Sequence, residues 1–534
     1  MEPTIHQQTN FSPYTSNTDN NISSPVPPAP TVPKRTFSVS ETIFAWLSLL
    51  FGYLFCRVFP VSDSPLGGFL LTVFMFVSSL VVIKIKGAKL TAKPVIALVS
   101  AILISVSLFI TSNAFLHFFA YSYAMAVFCY FIFTACGNSV KAGFSDLIVA
   151  DFIKALFVMP FCSFDSMFKA VFSGKGKGSG KTFLKVLIGI GLTFIPTMIV
   201  FGLLSYDNDF TNLFNNIFDF DFDKIWSHIG SLILGVPIGL YIYGLFVSSV
   251  DKKCSSVLNE ESSSKVIYNM RIAPAVTIIA AVVPLLFIYV VFFISQWKYY
   301  ISGFTGDLPE GFIYSAYARE GFFQLCVVSV INLVAITAVI MFMKRKNKAD
   351  SFILKTIVVL FSVFTLILIS TAVAKMVMYI NTYGLTPKRV YATWLMSVIA
   401  VLFILISLKM FVRKLKVVAI SLVAVVAMFA IISLPNNDAF IARYNVERYV
   451  NGSLDTIDLD AMEDLGTSAI PSLVDLKLYL NKNSSSDYES QLNTDIYNYF
   501  EDIIFDMKYI EKNIFSYTIP DLIAERELKE SGYY

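Results

Sequence analysis

Charge is what this chain has least of. Only 15% of its 534 residues are Asp, Glu, Lys or Arg, against about 25% in a soluble globular domain. With 56% hydrophobic residues and a mean hydropathy of +0.67, the deficit excludes an ordinary soluble fold. Histidine is nearly absent. His6, His117 and His228 lie far apart, with no carboxylate or cysteine at ligand spacing. Neither a Ser-His-Asp mechanism nor a metal centre has support from them, and no metal and no cofactor is expected. The six cysteines (Cys56, Cys129, Cys136, Cys162, Cys254 and Cys326) contain no C-x-x-C pair, which argues against structural zinc. Most lie in apolar runs and read as buried thiols of membrane helices. No basic start followed by a short apolar core opens the chain, so it does not begin as a secretory signal does.

One stretch imitates a phosphate loop. GKGKGSGKT, Gly174–Thr182, would need glycine at position 175, where Lys175 stands. No strand precedes it and an apolar run follows, so it reads as a flexible cationic loop beside anionic lipid. Asp63, in the first outer link, is a place where a membrane transferase could keep an acidic base. A single Asp in so short a link is not a signature. The chain leans away from being an enzyme, and no nucleic-acid partner is expected.

What is present is a succession of apolar runs of the length that crosses a bilayer as a helix. They fall near Glu41–Phe59, Leu66–Ile85, Pro94–Ser112, Phe115–Cys136, Phe183–Ser205, Ile229–Ser249, Ala273–Ile294, Gly321–Met343, Phe352–Ile380, Val390–Phe411 and Lys416–Ser433. None alternates as the short strands of a membrane barrel would. The fold class expected is all-α, a polytopic transmembrane helical bundle of about 11 spans with a small helical C-terminal domain.

Alternate links are basic, as in Lys84–Lys93, Lys175–Lys185 and Lys344–Lys348. Links on one side hold about 26 Lys and Arg and those on the other about seven, which places the basic side in the cytoplasm. The expected domains are a disordered cytoplasmic tail over residues 1–37, a transmembrane domain over 38–434 and an acidic helical tail over 435–534, with the C-terminus outside. The first is rich in Pro, Ser, Thr and Asn and buries too little apolar surface to order itself. The last carries a net charge of roughly −11 and has apolar residues at helical spacing. Between spans, FSDLIVADFIKALFVMPFCSFDSMFKAVF is too polar to cross and reads as helices in the inner interface, broken near Pro160.

The stretch Ser315–Phe411 gathers the densest charge close to the hydrocarbon on the outer side. Glu320 and Gln324 are four residues apart and share a helix face, with Asn332 about two turns deeper. Lys375 lies more than one turn inside the outer end of its helix, with Tyr379 four residues on. Charges at such depth usually face a bundle interior or a wet cavity. Thr386 and Pro387 make an N-cap and first helical residue. Lys388 and Arg389 then fall in the first turn, the unfavourable end of the macrodipole for cations. An anion nearby would offset that, whether Glu320, a lipid phosphate or a ligand. The candidate binding residues are Arg319, Glu320, Gln324, Lys375, Tyr379, Lys388 and Arg389. The bland reading is that these cations snorkel to lipid headgroups.

YAREGFFQL (Tyr317–Leu325), YGLTPKRVYATW (Tyr383–Trp394) and, in the tail, YNVERYV followed by DLDAMEDLGTSAIPSL resemble a bacterial membrane-protein family catalogued as domain of unknown function 4173, close to the 4153 group. The resemblance covers the membrane region and the first part of the tail. It implies a bacterial cytoplasmic-membrane location and transfers no catalytic residue. Three functions stay open: transport or sensing of an anionic or lipid-like ligand, an envelope-assembly enzyme acting on a lipid-linked substrate, or a structural partner in a membrane complex. Partners expected are the bilayer and such a ligand.

Overall fold

A computed structural model describes residues 37–61, 64–88, 90–141, 143–164, 166–171, 222–254, 257–295, 314–483, 486–509 and 514–534, with isolated positions between 193 and 204. Residues 1–36, the cationic loop 174–182, Asp63 and the run expected at Phe183–Ser205 lie outside the described residues, apart from those isolated positions. So does most of the acidic link after that run.

Helices account for nearly all of what is described. In chain order they are α1 Val39–Cys56, α2 Pro65–Ile85, α3 Ala92–Ile110, α4 Ala114–Ala135, α5 Ile148–Ile153, α6 Ser166–Val171, α7 Phe222–Val250, α8 Glu260–Asn269, α9 Ala275–Ser295, α10 Tyr314–Phe342, α11 Lys348–Tyr383, α12 Pro387–Phe411, α13 Val417–Ser433, α14 Asn437–Val450, α15 Leu459–Glu463, α16 Ile470–Asn483, α17 Asp487–Tyr509 and α18 Ile519–Glu530. Among the described residues nine helices are long and apolar enough to cross a membrane. The chain is therefore an all-α polytopic bundle, and its apolar helices are those of a multi-pass membrane protein. A tenth span is counted if α13 is included, because it passes that test only together with α14, from which it bends by 56°. The seventeen residues of α13 reach the lower end of span length by themselves. Helix α14 carries Arg443, Glu447 and Arg448 and lies beyond that span. The eleventh expected span is the one outside the described residues.

The bundle has two packed halves. In the first, α1 crosses α7 where Gly52 meets Gly235 and Gly239. A Cβ on Gly52 would sit 2.0 Å from the Gly235 carbonyl oxygen, so only backbone fits there, as small-residue crossings in membranes allow. The second half packs α9, α10, α11 and α12 around Phe322, Phe361, Met376, Met396 and Phe403. On α10 the buried positions Phe322, Leu325, Ser329, Asn332, Ile336 and Val339 recur every three or four residues, one face of a helix. Helix α13 joins the halves, with Phe429 and Ile432 packed against Ile104, Leu116 and Tyr121, and the Trp394 indole donating to the Met428 carbonyl at 2.9 Å.

The expected interfacial helices are two short α-helices, α5 and α6, with a π-helical and a 3₁₀ turn between them around Pro160. One expectation is corrected here. Cys162 and Cys254 are not separate buried thiols but a disulfide, which ties this element to the link after α7. Spacing gave no sign of a bond across 92 residues of sequence.

Helices α14–α18 pack around Ile441, Met462, Leu473, Leu476, Ile496, Phe500 and Leu528. Leu385, from the link between α11 and α12, and Val390, from the first turn of α12, pack against that same cluster. Gly466 has φ +58° and follows α15, while Ser468 sits in a 3₁₀ turn before α16 and makes no capping bond.

Candidate functional site

The site is a junction where the tail meets the ends of four membrane helices. It starts from a single glycine. α11 ends at Gly384, whose φ of +75° and ψ of −176° are open to glycine and strained for other residues. The space beside it is filled: a Cβ there would lie 2.6 Å from Oδ1 of Asn445. The Asn445 side chain accepts from the Leu385 N–H at 2.7 Å and donates to the Leu385 carbonyl at 2.8 Å. One amide thus satisfies both backbone groups of a residue in the link. Arg448, one turn further along α14, donates to the carbonyls of Ile380 at 3.2 Å and Asn381 at 2.8 Å. Both belong to the last turn of α11, where carbonyls run out of helical partners; that of Ile380 also accepts from the Gly384 N–H at 2.9 Å.

Arg389 completes this cap from the other direction. It donates to the carbonyls of Tyr383, at 3.0 Å, and Gly384, and its guanidinium lies 4.2 Å from the Tyr379 ring centroid. The expectation of a mismatched cation in the first turn of α12 is corrected by this geometry. The compensating negative end is the C-terminus of α11, one link away, and no separate anion is required for Arg389. Thr386 is the N-cap of α12 and Pro387 its first residue, as expected, but the threonine side chain accepts no capping bond.

α14 docks by one face. Asp438, Ile441, Ala442, Asn445 and Val446 are its buried residues, the spacing of a single helical stripe. Asp438, 2% exposed, accepts from the Asn113 amide at 3.2 Å. Asn113 also caps α4, accepting from the N–H groups of Phe115 and Leu116. The start of α4 and the end of α11 are therefore held by the same tail helix. Burial pushes the Asp438 carboxyl up to about 6, a rise that its bonds from Asn113 and Thr111 partly offset.

Beneath the junction lies Lys375, nine residues before Gly384, or about 14 Å along the helix. It is 8% exposed. Tyr379 stands one turn above it, with its ring 5.1 Å from that of Tyr383. Deeper still, Asn332 bridges three helices: it accepts from the Tyr289 hydroxyl at 2.5 Å and donates to Thr365 at 2.9 Å. The structure thus brings Lys375, Tyr379 and Arg389 into one column. Gln324 and Lys388 are exposed and stand outside it. Arg319 and Glu320 fall in the first two turns of α10, and their side chains lie outside the described residues. Among the described residues no three His, Cys, Asp or Glu side chains come together as metal ligands.

Sequence reasoning passed over Asp438, Asn445 and Arg448. The signal was there: two polar residues fall on the buried stripe of an otherwise apolar face, where asparagine and aspartate are poor helix formers. Two of the motifs that carry the family resemblance, YGLTPKRVYATW and YNVERYV, prove to be the two sides of this one junction.

A family model described as "Domain of unknown function (DUF4153)" matches residues 98–476, which run from within α3 to within α16 and contain the whole junction. This is the neighbouring group named beside 4173; the finer resemblance to 4173 itself is not what the match carries. No curated protein and no solved structure matches the chain.

Proposed function

The chain belongs to the family described as "Domain of unknown function (DUF4153)", and we propose that this member binds an anionic or lipid-like ligand at Lys375, to sense or transport it. The observation that carries the reading is a cation held 8% exposed within the bundle, directly under a link that the tail clamps by side chain. Ionisable side chains at such depth in membrane helices face a bundle interior or a wet cavity and mark functional sites, and an ammonium there suits an anionic group. Arg319 and Glu320, at the start of α10, would complete the site, Glu320 as the internal partner of the cations when it is empty. Tyr379 and Arg389 would transmit occupancy to the link, and Asn445 and Arg448 would pass it to the tail.

The donor set favours binding over catalysis. An envelope enzyme would need carboxylates converging on a cavity. The buried carboxylate of the junction is Asp438, and it is bonded to Asn113. In the same reading the basic links face the cytoplasm of a bacterial cell and the acidic tail faces outward.

Native mass spectrometry of the purified protein, wild type beside Lys375→Met, tests the site. The expected result is a co-purifying anion or lipid that the variant loses. The absence of any bound species from both forms would contradict it.

A further inference from the structure

A cavity apart from Lys375, and independent of that reading, lies between α3, α4, α5 and α13. It holds about 270 Å³ and is lined along its length by Ile96, Leu103, Val127, Phe152, Val423 and Val426. Ile96, Leu103 and Val423 are each about half exposed, so the cavity opens sideways to the lipid-facing surface. One end is polar. Lys93, 3% exposed, donates to Asp151 at 3.0 Å and to the Lys141 carbonyl at 2.7 Å. An ammonium has three donors, so one remains.

Tyr130 also lines the cavity, is 5% exposed, and its hydroxyl has no hydrogen-bond partner. A buried hydroxyl left so is costly. α3 and α4 are consecutive and antiparallel, and Tyr123 donates to Ser100 at 2.9 Å. Seven residues on in α4 and seven back in α3 are Tyr130 and Lys93, so the two unused donors stand at one level. From Lys93 to Ile104 the cavity follows α3 for about 16 Å, about half of a bilayer's ~30 Å hydrocarbon core. At ~30 Å³ per water-sized group, its volume takes about nine methylenes.

We propose that this cavity binds the acyl chain of a membrane amphiphile, with its carbonyl or carboxyl oxygen accepting from Tyr130 and Lys93. The apolar length is that of a chain in one leaflet, and the polar end offers donors without a net charge, since Asp151 neutralises Lys93. An oxygen acceptor on an alkyl chain fits both. The groove between α11 and α12 lacks this pattern, because its lining hydroxyls, Ser370 and Ser397, donate within their own helices.

Full-length protein in nanodiscs would be photolabelled with a diazirine-bearing fatty acid and, in a parallel arm, with a diazirine-bearing glycerolipid. Adducts are expected on residues 96–104 and 422–430. Tyr130→Phe keeps the ring stack on Phe152, 4.3 Å between centroids, and should cut labelling there about three- to tenfold. Ala427→Trp, at the exposed mouth, should abolish it. Labelling by the acid alone identifies a free carboxylate as the head, labelling by the glycerolipid alone an ester carbonyl, and labelling by both a site that selects the chain. Adducts spread as heavily over lipid-facing positions such as Val334 and Phe352, and unchanged in both variants, would overturn the proposal.

Discussion

The two membrane surfaces of this protein handle charge in opposite ways. On the side of the basic links, opposite charges meet inside the bundle. Lys93 and Asp151 form an ion pair at 3.0 Å with both side chains at most 3% exposed, and Val140 donates to the second Asp151 oxygen at 2.7 Å. On the side of the tail, cations meet helix dipoles instead. Arg389 and Arg448 close the carbonyl end of α11, and Asn445 holds the link beyond it. Pairing of the first kind is rigid, because each ion left alone would be buried without compensation. Pairing of the second kind is made of several bonds to backbone, each modest and solvent-accessible at its rim. A surface that must move would be built the second way, which is why the tail side carries the proposed sensor and the basic side the anchor.

The sharpest way to break this contrast is to remove one ion of the buried pair. Asp151→Ala should cost about 3–5 kcal/mol, read as a lower unfolding temperature in detergent. Lys93→Met with Asp151→Leu should recover most of that loss. If the single variant is as stable as wild type, the pair is not the anchor it is taken to be.

On the tail side the expected effects are smaller. Asn445→Ala leaves the Leu385 N–H and carbonyl unpaired and should cost about 1–3 kcal/mol, seen as faster tryptic cleavage at Arg443 and Arg448. Gly384→Ala strains the left-handed link and meets Asn445, a penalty of about 1–3 kcal/mol. Because they share one contact, the two should combine less than additively. Arg389→Met removes the ring contact and the carbonyl cap together, for about 1 kcal/mol.

A further effect is a pH dependence. Docked α14 holds the Asp438 proton more tightly than free α14 does, since burial lifts that carboxyl to about 6 from an ordinary 3.8. Docking is therefore strongest below about pH 4, weakens as pH rises to about 6 and is level above that. Hydrogen exchange of α14 should be slower at pH 5 than at pH 7.5 after correction for intrinsic rates, and Asp438→Asn should flatten the difference.

Much of the fold was legible in the sequence for a physical reason. A span must be long and apolar whatever it packs against, so hydropathy alone places α1–α4, α7 and α9–α12. The buried stripe of α14 is visible in the same way. The site was legible only in part. Lys375 could be picked out because its depth is a local property of one helix. The partners of Arg389 could not, because a cation in a first turn looks misplaced until the preceding helix is seen to end beside it. Lys93 and Asp151 stand 58 residues apart, and nothing local in either segment announces their pairing. Gln324 shared a helical spacing with Asn332, yet the packing of α10 on α11 buries one and exposes the other.

The account rests on coupling between Lys375 and the tail, and hydrogen exchange of the full-length protein, wild type against Lys375→Met, tests it most directly. The predicted result is changed protection both in the link at Tyr383–Thr386 and in α14 around Asn445. A change confined to α11, with the link and α14 exchanging as in wild type, would contradict it.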